Sequence, residues 1–151
     1  MRQVRAILID PVTQTCTEVE HDADNYRGIY TLLSDPEHGL NVSCFDVVRL
    51  DRGDAIYVDD EGLLKDPKYF FVWKDYPTPL AGRGLILGSD YEGETQSAQT
   101  TLDKVRQQIT FPQLKVTGFK SEEGPTDWHG HTAWGISTQP LFEKREDKQN
   151  S

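Results

Sequence analysis

The sequence predicts an α+β protein, with a mainly antiparallel sheet and two helices. Three observations point to this class. Short β-rich apolar runs recur along the chain, bounded by Asp, Gly and Pro turn signals. Two stretches space their apolar residues at intervals of three and four. Strands dominate, and their order lacks the strict strand–helix alternation of a parallel sheet.

Val4-Arg5-Ala6-Ile7-Leu8-Ile9 is a compact apolar run closed by Asp10-Pro11, which reads as a buried strand and a turn. Thr15, Thr17 and Val19 alternate with Cys16, Glu18 and Glu20, so the two segments make a hairpin. A first helix follows. Asp22 or Asp24 caps it, Tyr26, Ile29, Tyr30, Leu32 and Leu33 form its apolar stripe, and Asp35-Pro36 ends it. Gly39 to Asn41 is loop. Residues 44–50 are β-rich, Asp51 to Asp54 turn, and Ala55 to Val58 resume a strand before the turn Asp59-Asp60-Glu61-Gly62. Tyr69 to Trp73 is a further β run, read as core, with a pairing edge strand as the alternative. Pro77 and Pro79 break the chain. Gly84 to Gly88 is a short apolar strand with glycine at both ends. After a polar loop over 89–98, a second helix spans Thr101 to Ile109. It carries Leu102, Val105 and Ile109 on one face, Thr100 and Asp103 as its capping pair, and Phe111-Pro112 as its stop. Leu114 to Thr117 reads as a strand and residues 121–125 as a linker.

At 151 residues the chain suits one domain, placed at 1–142, with a polar, disordered tail over 143–151. Acidic residues outnumber basic ones by 25 to 16, a formal charge of −9, and the excess concentrates in residues 1–65. Such a surface repels phosphate backbones, which argues against nonspecific nucleic-acid binding; it suits solubility or a basic partner. Two cysteines, Cys16 and Cys44, are too few for a disulfide-held secreted domain, so reduced thiols are expected, with one or both buried. The start of the chain lacks the apolar stretch of a signal peptide. No run approaches the roughly 18 apolar residues of a membrane span. A cytoplasmic protein with no cofactor is expected.

Three constellations bear on chemistry. Asp59-Asp60-Glu61, with Asp51 and Asp54 nearby, is the densest acidic cluster. It fails the calcium-loop pattern and reads first as a solvated turn. Gly82-Arg83-Gly84, followed by Gly88, faintly matches a phosphate loop, but a strand follows Gly84 and no helix opens at Gly88. Structural turns are the simpler reading of these glycines. Asp127-Trp128-His129-Gly130-His131 carries a His-x-His pair. On a strand both imidazoles face one side and could grip one metal, with Asp59 as a further ligand. The pair resembles the first ligand motif of metallo-β-lactamase-like hydrolases, although Ala133-Trp134 stands where Asp-His would follow. No Gly-x-Ser-x-Gly elbow or Walker-type loop occurs.

A longer resemblance covers Ala6 to about Glu94. Ala6-Ile7-Leu8-Ile9-Asp10-Pro11, Tyr57 through Lys65 with its Asp59-Asp60-Glu61-Gly62 turn, and Pro79 through Gly88 followed by Glu92-Gly93-Glu94 are similar to a phage- and prophage-associated family of unknown function. This chain has Asp59-Asp60 where that family usually has asparagine, and it adds the segment from Gln113 onward. The resemblance implies a phage or mobile-element setting and no particular chemistry. The leading expectation is a non-enzymatic accessory protein that modulates a host or defence process. It would bind a host protein through Tyr76, Trp128 and Trp134, or sequester a small nucleotide. In the second case Arg83 and the backbone of Gly82 and Gly84 hold phosphate while an aromatic ring stacks on the base. The alternatives are a metal-dependent hydrolase using His129 and His131, and a structural or virion-associated homo-oligomer.

Overall fold

Val4 to Ile9 form the interior of β1 (Gln3–Asp10) in the computed structural model, which describes residues 2–62, 67–76, 78–128 and 131–144, with 117–141 and 144 as backbone. Contacts divide the chain into two compact units, Met1–Pro112 and Gln113–Ser151, and each is taken by itself.

In the first unit β1 pairs with β2 (Thr15–Asp22) from Gln3↔Asp22 to Asp10↔Thr15. The turn between them is held by Asp10, whose Oδ1 accepts the Val12 N–H at 3.0 Å. β3 (Phe45–Arg49) and β4 (Ala55–Asp59) form a second hairpin. β5 (Phe70–Trp73) and β6 (Leu80–Ala81) lead into β7 (Gly84–Ser89), which lies between β1 and β4. The sheet order is β2-β1-β7-β4-β3, and β8 (Thr95–Gln96) adds to the end of β7. Every strand pairing among the described residues is antiparallel, as the sequence predicts for an α+β protein.

Apart from Arg5, the interiors of β1 and β7 are apolar because both their faces are covered. On one face Val4, Ala6, Leu85 and Leu87 pack with Ile29 and Leu33 of α1 (Arg27–Leu33). On the other, Ile7, Ile9, Ile56 and Ile86 pack with Phe71 and with Val105 of α2 (Leu102–Gln108). The two helices lie over opposite faces of one sheet.

The caps of both helices differ from expectation. Neither Asp22 nor Asp24 caps α1. Asp22 ends β2, and its Oδ1 accepts the Asp24 N–H at 3.0 Å, so the carboxylate is used in a local turn before the helix begins. Tyr26 holds the cap position with no side-chain bond. For α2 the cap is Thr101, whose Oγ1 accepts the Lys104 N–H at 3.3 Å; Thr100 instead gives its N–H to Asp54. Residues 70–73 are core, as the sequence reading favours, and not the edge strand it kept as the alternative. β5 is the middle of a small sheet ordered β6-β5-β9, where β9 is Ile109–Thr110, and Phe70 and Phe71 are fully buried.

On each outer strand of the main sheet one outward backbone group is taken by a side chain. In β3 the register turns the Val47 N–H away from β4, and the Asp46 Oδ1 accepts it at 2.8 Å. In β2 the Cys16 carbonyl faces away from β1 and accepts from Arg106 Nη2 at 3.1 Å.

The second unit is one long hairpin of β10 (Leu114–Trp128) and β11 (His131–Lys144), with a register shift between Val116 and Gly118. Residues 121–125, read from sequence as a linker, lie inside β10, where Gly124 pairs with Gly135 and Pro125 with Trp134. Each strand of a two-stranded ribbon has a free edge, so proline is tolerated there. Of the polar segment 143–151, Glu143 and Lys144 belong to β11, and residues 145–151 lie outside the described residues.

Candidate functional site

Two clefts open on the first unit. The smaller, about 260 Å³, has an apolar wall of Leu33, Leu40 and Val42 and a polar side that includes His38, Tyr69 and Arg83. Gly82 and Asp59 line it as well. Arg83 leaves the β6–β7 connection beside Gly82, whose φ of +81° suits glycine at that turn. Its guanidinium is anchored inside the protein. Nη1 donates to the carbonyls of Leu32 (3.3 Å) and Ser34 (3.0 Å), and Nη2 donates to Asp10 Oδ2 and Asp35 Oδ2, each at 3.2 Å. The same Asp35 oxygen meets His38 Nδ1 at 2.8 Å. A carboxylate already paired with a permanent cation can only accept, so Nδ1 carries the proton of that contact.

The larger cleft, about 510 Å³, falls within the roughly 300–1,000 Å³ of small-molecule sites. Trp73 of β5 and Tyr76 line it, the Tyr76 N–H donating to the Trp73 carbonyl at 2.9 Å in the turn that sets both rings. Three cations from separate elements line it too: Arg49 of β3, Arg52 of the turn before β4, and Lys104 of α2. Among the described residues none of the three forms an ion pair. Arg52 has a φ of 61°, a left-handed conformation that costs a non-glycine residue on the order of 1 kcal/mol. Asp51 and Asp75 also line the cleft, while each oxygen of buried Asp54 is engaged: Oδ1 accepts the Gln99 N–H (2.8 Å) and Oδ2 the Thr100 N–H (2.9 Å). Gln108, the last residue of α2, contributes a side-chain oxygen that is buried and has no donor. Stacking rings beside uncommitted cations can hold a planar ligand that carries an anionic group.

The residues singled out from sequence distribute as follows. Arg83, Gly82 and Asp59 meet in the smaller cleft, and Tyr76 lines the larger. Gly84 lines neither. It sits inside β7, where a Cβ would meet Phe71 Cζ at 2.6 Å and Ile56 Cγ2 at 3.0 Å. In the second unit Trp128 and His131 are register partners at the end of the hairpin, and Trp134 is paired with Pro125. His129 lies outside the described residues. Among the described residues no group of three His, Cys, Asp or Glu side chains could hold a metal ion. The sequence reading missed Arg49, Arg52, Lys104 and Gln108. They are scattered across 60 positions of the chain, and only the Asp51-Arg52-Gly53-Asp54 turn marked the place.

Both cysteines are free thiols. Cys16 is buried, and burial pushes its thiol up against the partly opposing charge of Arg106; Cys44 is exposed. Among the described residues no helix is long and apolar enough to cross a membrane.

No family model matches the chain, and no solved structure matches it. It is similar to a Sinorhizobium fredii protein named only "uncharacterized protein y4iR", at 31% identity over 86 residues. The match takes in 56% of this chain and 49% of that relative, so the chain spans about half the length of the curated relative it matches.

Proposed function

We propose that this chain is a non-enzymatic binding protein that takes a small nucleotide-type ligand into the larger cleft, as a phage or mobile-element accessory acting on a host process. The mobile-element setting rests on the resemblance over residues 6–94. The binding reading is carried by one observation: Trp73 and Tyr76 share a cleft with Arg49, Arg52 and Lys104, none of which is ion-paired within the described protein. Rings take a base by stacking, and cations take a phosphate by charge-assisted hydrogen bonds. The smaller cleft suits a phosphate less well, because Arg83 already answers two carboxylates.

The test is calorimetric titration of the full chain with nucleoside monophosphates, diphosphates and cyclic dinucleotides. Saturable binding is expected. Tyr76→Ala should weaken it about tenfold, within the roughly 1–3 kcal/mol that stacking on an aromatic contributes per base. Arg52→Gly removes a charge and the left-handed strain together, so it should weaken binding without weakening the fold. No heat at millimolar nucleotide, or binding indifferent to both substitutions, would overturn the proposal.

A further inference from the structure

We infer that Gln108 reads the base of the bound nucleotide, selecting rings that present an N–H donor on their edge, such as the exocyclic amine of adenine. This rests on the larger cleft being the nucleotide site. Gln108 joins α2 to β9, and its backbone carbonyl accepts the Lys74 N–H at 2.9 Å while the next residue, Ile109, pairs with Trp73. The root of the side chain is thereby fixed beside one of the two stacking rings.

Of the side chains lining this cleft, Gln108 is the one with a buried polar atom lacking a partner. A buried acceptor without a donor costs free energy, and that cost is relieved when a donor arrives. The terminal torsion of a glutamine is soft, so Oε1 can turn toward a ligand in the cleft that the residue lines. The neighbouring cations supply charge for the anionic end. Asp54, the buried carboxylate lining this cleft, already accepts the Gln99 and Thr100 N–H groups. Stacking does not tell bases apart, since every base has a π-face. A carboxamide does, because it offers an acceptor and donors in one plane and can meet the paired N6 donor and N7 acceptor of adenine.

The experiment compares adenosine 5′-monophosphate with purine riboside 5′-monophosphate, which lacks the amine, by calorimetry on the full chain and on Gln108→Met and Gln108→Glu. The wild type should prefer the amine-bearing ligand about tenfold. Gln108→Met should bind both alike, and Gln108→Glu, which keeps an acceptor, should retain the preference and serves as the folded control. Equal affinities in the wild type would overturn the role of Gln108 and leave the nucleotide site standing. A preference that survives in Gln108→Met would also overturn it. Failure of both ligands to bind would overturn both readings together.

Discussion

Replacing Arg83 with methionine should unfold the first unit more readily, by an amount that follows from its four contacts. The side chains of Arg83, Asp10 and Asp35 are 19%, 12% and 14% exposed, so solvent screens these pairs little. Methionine keeps the apolar stem and removes the guanidinium. Asp10 then keeps only the Val12 N–H, on its other oxygen, and the Leu32 and Ser34 carbonyls lose this donor. Asp35 retains His38. Breaking a buried pair by deleting one partner costs roughly 3–5 kcal/mol, and the surviving His38 contact puts this case near the lower end, about 3 kcal/mol. At a urea slope of about 2 kcal/mol/M, the midpoint should fall by about 1.5 M. Urea titration at pH 7, followed by tryptophan fluorescence, reads this directly. Adding Asp10→Asn to Arg83→Met should recover about 1 kcal/mol or more, because it removes the stranded charge. A loss below about 1 kcal/mol, or a double variant no better than the single, would refute the view of Arg83 as an internal clamp.

Two further outcomes follow from buried titratable groups. His21 is buried, and burial pushes its imidazole below the usual value of 6.5, with Asp22 opposing. The folded state therefore binds fewer protons than the unfolded one. This contribution is intact above pH 6.5 and is lost as pH falls through that value and on through the lower folded value. Urea midpoints at pH 7.5 and 5 should differ more for the wild type than for His21→Gln; equal differences would count against it. As for the thiols, a disulfide reagent should label Cys44 at once and Cys16 only in denaturant, since one is exposed and the other buried with a raised pKa. Two equivalents reacting together in the native protein would contradict the buried position of Cys16.

The parts of the fold that were legible in the sequence share a cause. Ala6 to Ile9 and Gly84 to Gly88 are apolar on consecutive residues because helices cover both faces of the sheet they centre. The spacing of Leu102 and Val105 announced α2 for the same reason. What escaped was decided by partners far along the chain. β5 read as core, but its two partners did not show, because Leu80–Ala81 and Ile109–Thr110 are two-residue strands too short to leave a pattern. The cap of α2 moved by one residue because buried Asp54 claims the Thr100 N–H. Arg83 read as a ligand-facing cation between glycines, and its partners at positions 10, 32, 34 and 35 are invisible until the strands are assembled. The larger cleft was legible only at Tyr76, since its cations are single residues on three separate elements.

The side-chain bonds on the outer strands of the main sheet have a consequence for crowded solutions. A strand at the margin of a sheet invites a passing chain to add itself, and that is how fibrils and swapped dimers begin. Here an outward donor on one margin is held by Asp46 and an outward acceptor on the other by Arg106. An incoming strand would have to break a side-chain bond before making its first ladder bond at either place. At these two points, one on each margin, a charged side chain competes with any strand that would extend the sheet.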